Sequence, residues 1–212
     1  MKKHLQEFTV HAYKGIHNLT LESLNAINIL TGDNNSGKTS VLELLSTIGN
    51  PQDTDAWIRC ARIDGLRIRD RLYFNGFYNM FPIDDERKEI AYSLIDGDGK
   101  SDEVMLVAEL EETQVSEKEM YRLNGLSRMR SVKQEDEVVD TVCMHLYTYL
   151  NQNKAHEDVI YDFQNILPRN LNKRKPYVKT VYVSPVDHAK SSLNLNGILS
   201  DPELYGEMLS IL

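Results

Sequence analysis

An α/β fold with an added antiparallel β subdomain is predicted by three observations. The stretch LTGDNNSGKTSVLELL, residues 30–45, sets a glycine-bearing loop directly before apolar residues at helical spacing. The apolar run at residues 26–30 reads as a buried strand feeding that loop. Two β-rich segments, residues 89–95 and 103–110, flank Asp96-Gly97-Asp98-Gly99-Lys100, whose residues tolerate positive φ and so close a hairpin.

In chain order, Phe8 to Tyr13 alternates as a strand, Lys14-Gly15 turns, Leu19 to Leu24 alternates again, and residues 26–30 form a third strand. The loop that follows fits G-x-x-x-x-G-K-[ST] with Gly32, Gly37, Lys38 and Thr39. Glycines at 32 and 37 let the backbone curl, so that N–H groups of Asp33, Asn34, Asn35 and Ser36 point inward at phosphate oxygens, and the helix start adds partial positive charge. Lys38 is expected to reach the β- and γ-phosphates, and Thr39 to place its hydroxyl on Mg²⁺, with Ser40 supporting the first turn. Lys14 is a second, weaker candidate for a phosphate contact. The expected cofactors are ATP and Mg²⁺. Val41, Leu42, Leu44, Leu45 and Ile48 carry the helix on until Gly49-Asn50-Pro51 stops it.

Beyond this loop helix, residues 55–71 read as an amphipathic helix broken near Gly65, and the aromatic run from Tyr73 to Pro82 as core. The hairpin comes next. Its loop superficially matches a calcium loop at Asp96, Asp98 and Lys100, but it lacks helical flanks and a bidentate Glu, so it is assigned to turn chemistry. Residues 111–138 are polar and read as a solvated excursion; Val138 to Tyr149 and Val159 to Tyr161 read as strands. Arg169, Lys173, Arg174 and Lys175 form a short basic cluster assigned to a loop, and residues 179–184 a strand. Ser184, Asp187 and His188 lie too close together, without a nucleophile elbow, to form a triad. A final helix starts at Ser200-Asp201-Pro202 and carries a stripe of Leu204, Tyr205, Met208, Leu209, Ile211 and Leu212 with no stop signal, from which a truncated chain is expected. The implied organisation is residues 1–50 as strands, loop and helix, 51–178 as a helical and hairpin insertion, and 179–212 as strand and last helix.

The chain has 212 residues, 41% hydrophobic, with a net charge of −8, which suits a packed domain and disfavours indiscriminate binding to nucleic acid or acidic membranes. Cys60 and Cys143 stand far apart, outside any C-x-x-C or Cys/His cluster, so two buried free thiols and a reducing compartment are expected. With no signal peptide and no window of eighteen apolar residues, the expected location is cytoplasmic, without a membrane partner.

The run YKGIHNLTLESLNAINILTGDNNSGKTSVLELL closely resembles the N-terminal block of ATP-binding-cassette-like ATPases related to the structural-maintenance-of-chromosomes and overcoming-lysogenization-defect families, often described as AAA family ATPases. Tyr13 to Ile16, the hairpin after YNMFPID and the segment VYVSPVDHAKS are similar to that family too. The resemblance implies a P-loop NTPase half-domain and a homodimer closing around ATP, where a signature segment of one subunit covers the γ-phosphate held by the other. It also implies a nucleic-acid or anti-phage defence task with a nuclease or effector partner. No L-S-G-G signature occurs, and no run of four apolar residues ends in Asp-Glu; Val104 to Glu109 and Val159 to Asp162 are the nearest imitations. In the resembled family both elements come later, so they are expected beyond Leu212, and no catalytic residue is assigned within the chain. These residues alone are expected to bind ATP and hardly hydrolyse it. The alternative is a nucleotide-sensing interaction module that does not hydrolyse. A P-loop kinase of a small metabolite is disfavoured by the β-rich insertion and the lack of an arginine-rich lid.

Overall fold

The computed structural model describes residues 5–62, 72–83, 88–125 and 137–166, with the isolated positions 180 and 182. The chain divides into two compact units, Met1–Thr180 and Val181–Leu212, and every helix and strand described lies in the first. The strand expected at 179–184, the final helix, the basic cluster from Arg169 and the Ser184–His188 segment lie outside the described residues, apart from Thr180 and Tyr182.

The first unit is an α/β assembly around one antiparallel sheet. Its strands are β1 (Leu5–Tyr13), β2 (Ile16–Leu21), β3 (Lys88–Asp96), β4 (Ser101–Ser116), β5 (Val138–Leu150) and β6 (Asn153–Tyr161). They lie in the order β2-β1-β3-β4-β5-β6, every neighbour antiparallel. The β1–β2 turn is the expected Lys14-Gly15 pair, with Lys14 at φ 50 and Tyr13 opposite Ile16. At the β3–β4 hairpin the Asp96 carboxylate accepts the backbone N–H groups of Asp98 and Lys100, both at 3.0 Å, and Gly99 takes φ 77, which is the turn chemistry its sequence implies.

The helices are short: α1 (Lys38–Leu45), continued by a 3-10 turn at Ser46–Gly49, α2 (Thr54–Trp57), α3 (Leu72–Tyr78) and α4 (Glu117–Leu123). Alternation along the strands gives one sheet face Phe8, Val10, Ile90, Tyr92, Leu106, Met144 and Ile160, and Val41, Leu44, Trp57 and Phe77 from the first three helices join them in a single buried cluster. Polar tips inside it are satisfied: Trp57 Nε1 donates to Pro51 O at 2.8 Å, and the Tyr92 and Thr47 hydroxyls share a 2.9 Å bond. Thr54 of α2 bonds Asp158 of β6, tying the helical layer to the far sheet edge.

Three expectations are corrected. Residues 26–30 are not a strand: none of the six strands includes them, and Ile27 and Ile29 are 60% and 84% exposed. A strand needs neighbours to hydrogen-bond, and none lies beside this run among the described residues. The glycine loop therefore follows irregular chain, and the sheet is antiparallel throughout, which is atypical of a P-loop NTPase. The helix expected from 55 to 71 is realised among the described residues only as the single turn α2, followed by turns to Arg62. The polar excursion expected from 111 is instead strand up to Ser116, paired residue for residue with β5 from Glu111↔Cys143 to Ser116↔Val138, then α4 capped by the Ser116 hydroxyl; residues 126–136 lie outside the described set.

Candidate nucleotide-binding loop

Gly32 to Thr39 leave the irregular segment, curl, and open α1. The curl depends on its glycines. Gly37, the residue preceding α1, has φ 87, and a Cβ there would lie 3.2 Å from Ile16 Cδ1; a Cβ on Gly32 would lie 2.9 Å from Ser36 Oγ. Asn35 also adopts positive φ, at 65, which Asn tolerates better than most residues. No side chain caps α1, and its first turn carries no acidic residue, so the backbone donors at this helix start are left for an acceptor from outside.

Lys38 folds back into the arc. Its ammonium donates to Gly32 O at 2.7 Å, to Asp33 O at 2.6 Å and to Ser36 Oγ at 3.3 Å. The three bonds use its three protons and pin both ends of the loop to one cation. Asp33, Asn34, Asn35, Ser36 and Thr39 are exposed, so the loop surface and the Thr39 hydroxyl are accessible. Ser40 is buried, and its hydroxyl accepts from Arg62 Nη2 at 3.2 Å, so it braces the helix from behind. These features suit a polyphosphate with Mg²⁺: a cradle that side chains would fill, donors at a helix start, and a cation and a hydroxyl one residue apart.

Behind the loop lies a charge network that the sequence did not announce. Glu43, one turn into α1, is buried, and its Oε2 accepts from Lys14 Nζ at 3.0 Å, from Arg62 Nε at 3.2 Å and from the Tyr13 hydroxyl at 3.4 Å; Oε1 accepts from Arg62 Nε at 2.9 Å. Lys14 is thus held by α1 rather than standing free before the loop. Burial lowers its ammonium pKa below the usual lysine range, opposed by the bond to Glu43. Burial also drives the Tyr13 phenol far up, helped by Cys60 and Glu43, and pushes the Cys60 thiol up to about 12. The signal for Glu43 was its position between Leu42 and Leu44, a carboxylate inside an apolar helical run.

The two carboxylates closest to a hydrolytic Asp-Glu pattern sit elsewhere. Glu109 is exposed on β4, on the sheet face opposite the core cluster that α1 joins, and Asp162 follows β6 and accepts from the Thr141 hydroxyl at 2.6 Å. Both thiols are free and buried. No helix among the described residues is long and apolar enough to cross a membrane. No family model, no curated protein and no solved structure matches this chain.

Proposed function

We propose that the chain binds ATP with Mg²⁺ at Gly32–Thr39 and serves as the nucleotide-binding part of an ABC- and SMC-like P-loop ATPase head, coupled to a nucleic-acid-related or anti-phage defence process in the cytoplasm. The observation that carries this reading is the Lys38 ammonium seated inside its own glycine arc, at the start of an uncapped helix. Lys38 exchanges carbonyl partners for phosphate oxygens, the loop and α1 N–H groups bind the remaining oxygens, and the Thr39 hydroxyl is available to the metal ion. Bound there, Mg²⁺ supplies charge neutralisation at the β- and γ-oxygens. The exposed apolar run at Ile27 and Ile29 supports a head completed by further structure, in line with a homodimer or an effector partner.

Calorimetry with ATP and Mg²⁺ tests the reading. Wild type is expected to bind, and Lys38→Ala to lose at least about 10-fold in affinity, since a charge-assisted bond is worth about 1.5–3 kcal/mol. Equal affinities overturn it. A second reading, nucleotide sensing without hydrolysis, is favoured by the position of Glu109 on the sheet face opposite the core cluster that α1 joins. ATP binding without turnover by residues 1–212, even with a large excess of Mg²⁺, fits that reading; turnover abolished by Lys38→Ala excludes it.

A further inference from the structure

On the sheet face turned away from α1, β4 and β5 bring a thiol, an imidazole and a carboxylate together. Cys143 and His145 are two residues apart on β5, so both project from the same face, and Glu111 is the direct cross-strand partner of Cys143. His145 Nε2 lies 3.5 Å from Cys143 Sγ and 3.1 Å from Glu111 Oε2, and the three ligand atoms all fall within 4.8 Å of one another. We infer that Glu111, Cys143 and His145 form a Zn²⁺ site, separate from the nucleotide loop and independent of the nucleotide reading.

The two spacings about His145 Nε2 lie near those one shared tetrahedral ion would impose. With Zn–S near 2.3 Å, Zn–N near 2.0 Å and Zn–O near 2.1 Å, a common centre sets S···N at about 3.5 Å and N···O at about 3.4 Å. The observed 3.5 and 3.1 Å require shifts of only a few tenths of an ångström. One thiolate and one imidazole beside one carboxylate select Zn²⁺ over the oxygen-seeking Mg²⁺ and Ca²⁺.

A second observation comes from the other side of the ring. His145 Nδ1 is buried without a hydrogen-bond partner, while Glu157 Oε1 of β6 stands 3.7 Å away. Metal-bound imidazoles commonly direct their second N–H at a carboxylate, which fixes tautomer and ring orientation. Coordination through Nε2 puts the proton on Nδ1, facing Glu157, whose other oxygen Lys154 already holds at 2.6 Å. A single ion thus accounts both for the crowding at Nε2 and for the orphaned Nδ1. Glu111 is 63% exposed, which leaves the site a path to solvent and an open fourth position for water.

The test uses metal-stripped chain titrated with Zn²⁺ alone by calorimetry and with Co²⁺ alone by absorption. One equivalent of Zn²⁺ is expected to bind. Co²⁺ is expected to show tetrahedral d–d bands and a thiolate-to-metal charge-transfer band that Cys143→Ser removes and Cys60→Ser leaves. Glu157→Gln, at a 41% exposed side chain, should fold normally and weaken Zn²⁺ about 10–100-fold. This variant and the wild-type cobalt spectrum decide the matter even if Cys143→Ser fails to fold. Absence of stoichiometric Zn²⁺ binding, a cobalt spectrum without a thiolate band, or unchanged affinity in Glu157→Gln overturns the site.

Discussion

Replacing Glu43 with Ala tests whether the loop helix is held in place by its buried carboxylate. The substitution removes a carboxylate that accepts from Lys14, Arg62 and Tyr13 at once, while Arg62 keeps the Ser40 hydroxyl. Breaking a buried ion pair by deleting one partner typically costs about 3–5 kcal/mol, because the other charge is left behind. Here that figure is an upper bound: the Arg62 side chain is 56% exposed and rehydrates, whereas Lys14, 19% exposed, does so only in part. The tyrosine hydroxyl keeps the Cys60 carbonyl at 3.5 Å, so its lost bond adds at most about 1 kcal/mol. The net expectation is a loss of about 2–3 kcal/mol. Trp57, 1% exposed in the same core cluster, reports unfolding by fluorescence in urea. A double-mutant cycle with Lys14→Met and Glu43→Gln should show a coupling of about 1–2 kcal/mol. A Glu43→Ala loss below about 0.5 kcal/mol, or a coupling within about 0.3 kcal/mol of zero, would refute the network as a support of the loop.

Stability should fall with alkaline pH. Cys60 holds its proton to about pH 12 when folded but releases it near the ordinary thiol value of 9.0 when unfolded, so the unfolded chain loses protons first and is favoured as pH rises between these values. By pH 11 this contributes about 2–3 kcal/mol of destabilisation, with Tyr13 and Tyr92 acting in the same direction and Lys14 opposing; Cys60→Ala should flatten the profile in urea titrations from pH 8 to 11, and an unchanged slope counts against the buried thiol. Gly37→Ala should lose about 1–2 kcal/mol in urea melts and weaken ATP binding, because it places a side chain at φ 87 against Ile16. Gly15→Ala, which meets nothing within 4 Å, should be near neutral in stability, and equal effects at the two positions contradict the cradle.

What could be read from the sequence was local. Gly32, Gly37 and Lys38 fix a loop by backbone permission and charge, and Asp96 to Lys100 fix a hairpin by turn chemistry, so both needed no knowledge of distant chain. The run at Ile27 to Leu30 was apolar enough for a strand, but pairing depends on neighbours the pattern does not name, and the run lies exposed. Glu111 to Ser116 failed in the opposite sense: polar residues there hide a strand whose register is set by β5. Nothing in the loop motif points to Glu43, and its partners Lys14, Arg62 and Tyr13, which come from other parts of the chain, explain how its carboxylate is buried. The three residues of the zinc site are spread over two strands, Glu111 lying thirty-odd positions before its partners, so no spacing motif marks them.

The strand order also has a consequence for how the molecule assembles. In the meander from β3 to β6 each strand lies beside its successor in sequence, with tight turns joining β3 to β4 and β5 to β6, as Lys14-Gly15 joins β1 to β2. Docking β1 on β3, by contrast, must span the glycine loop and the first helices. Contacts that demand little loop closure form early. The meander and the β1–β2 hairpin should therefore assemble before β1 docks on β3, with the glycine loop and α1 recruited in that docking. Amide protons of β3, β4 and β5 should exchange most slowly, and those around Gly32 to Lys38 should open in smaller fluctuations that leave the sheet intact.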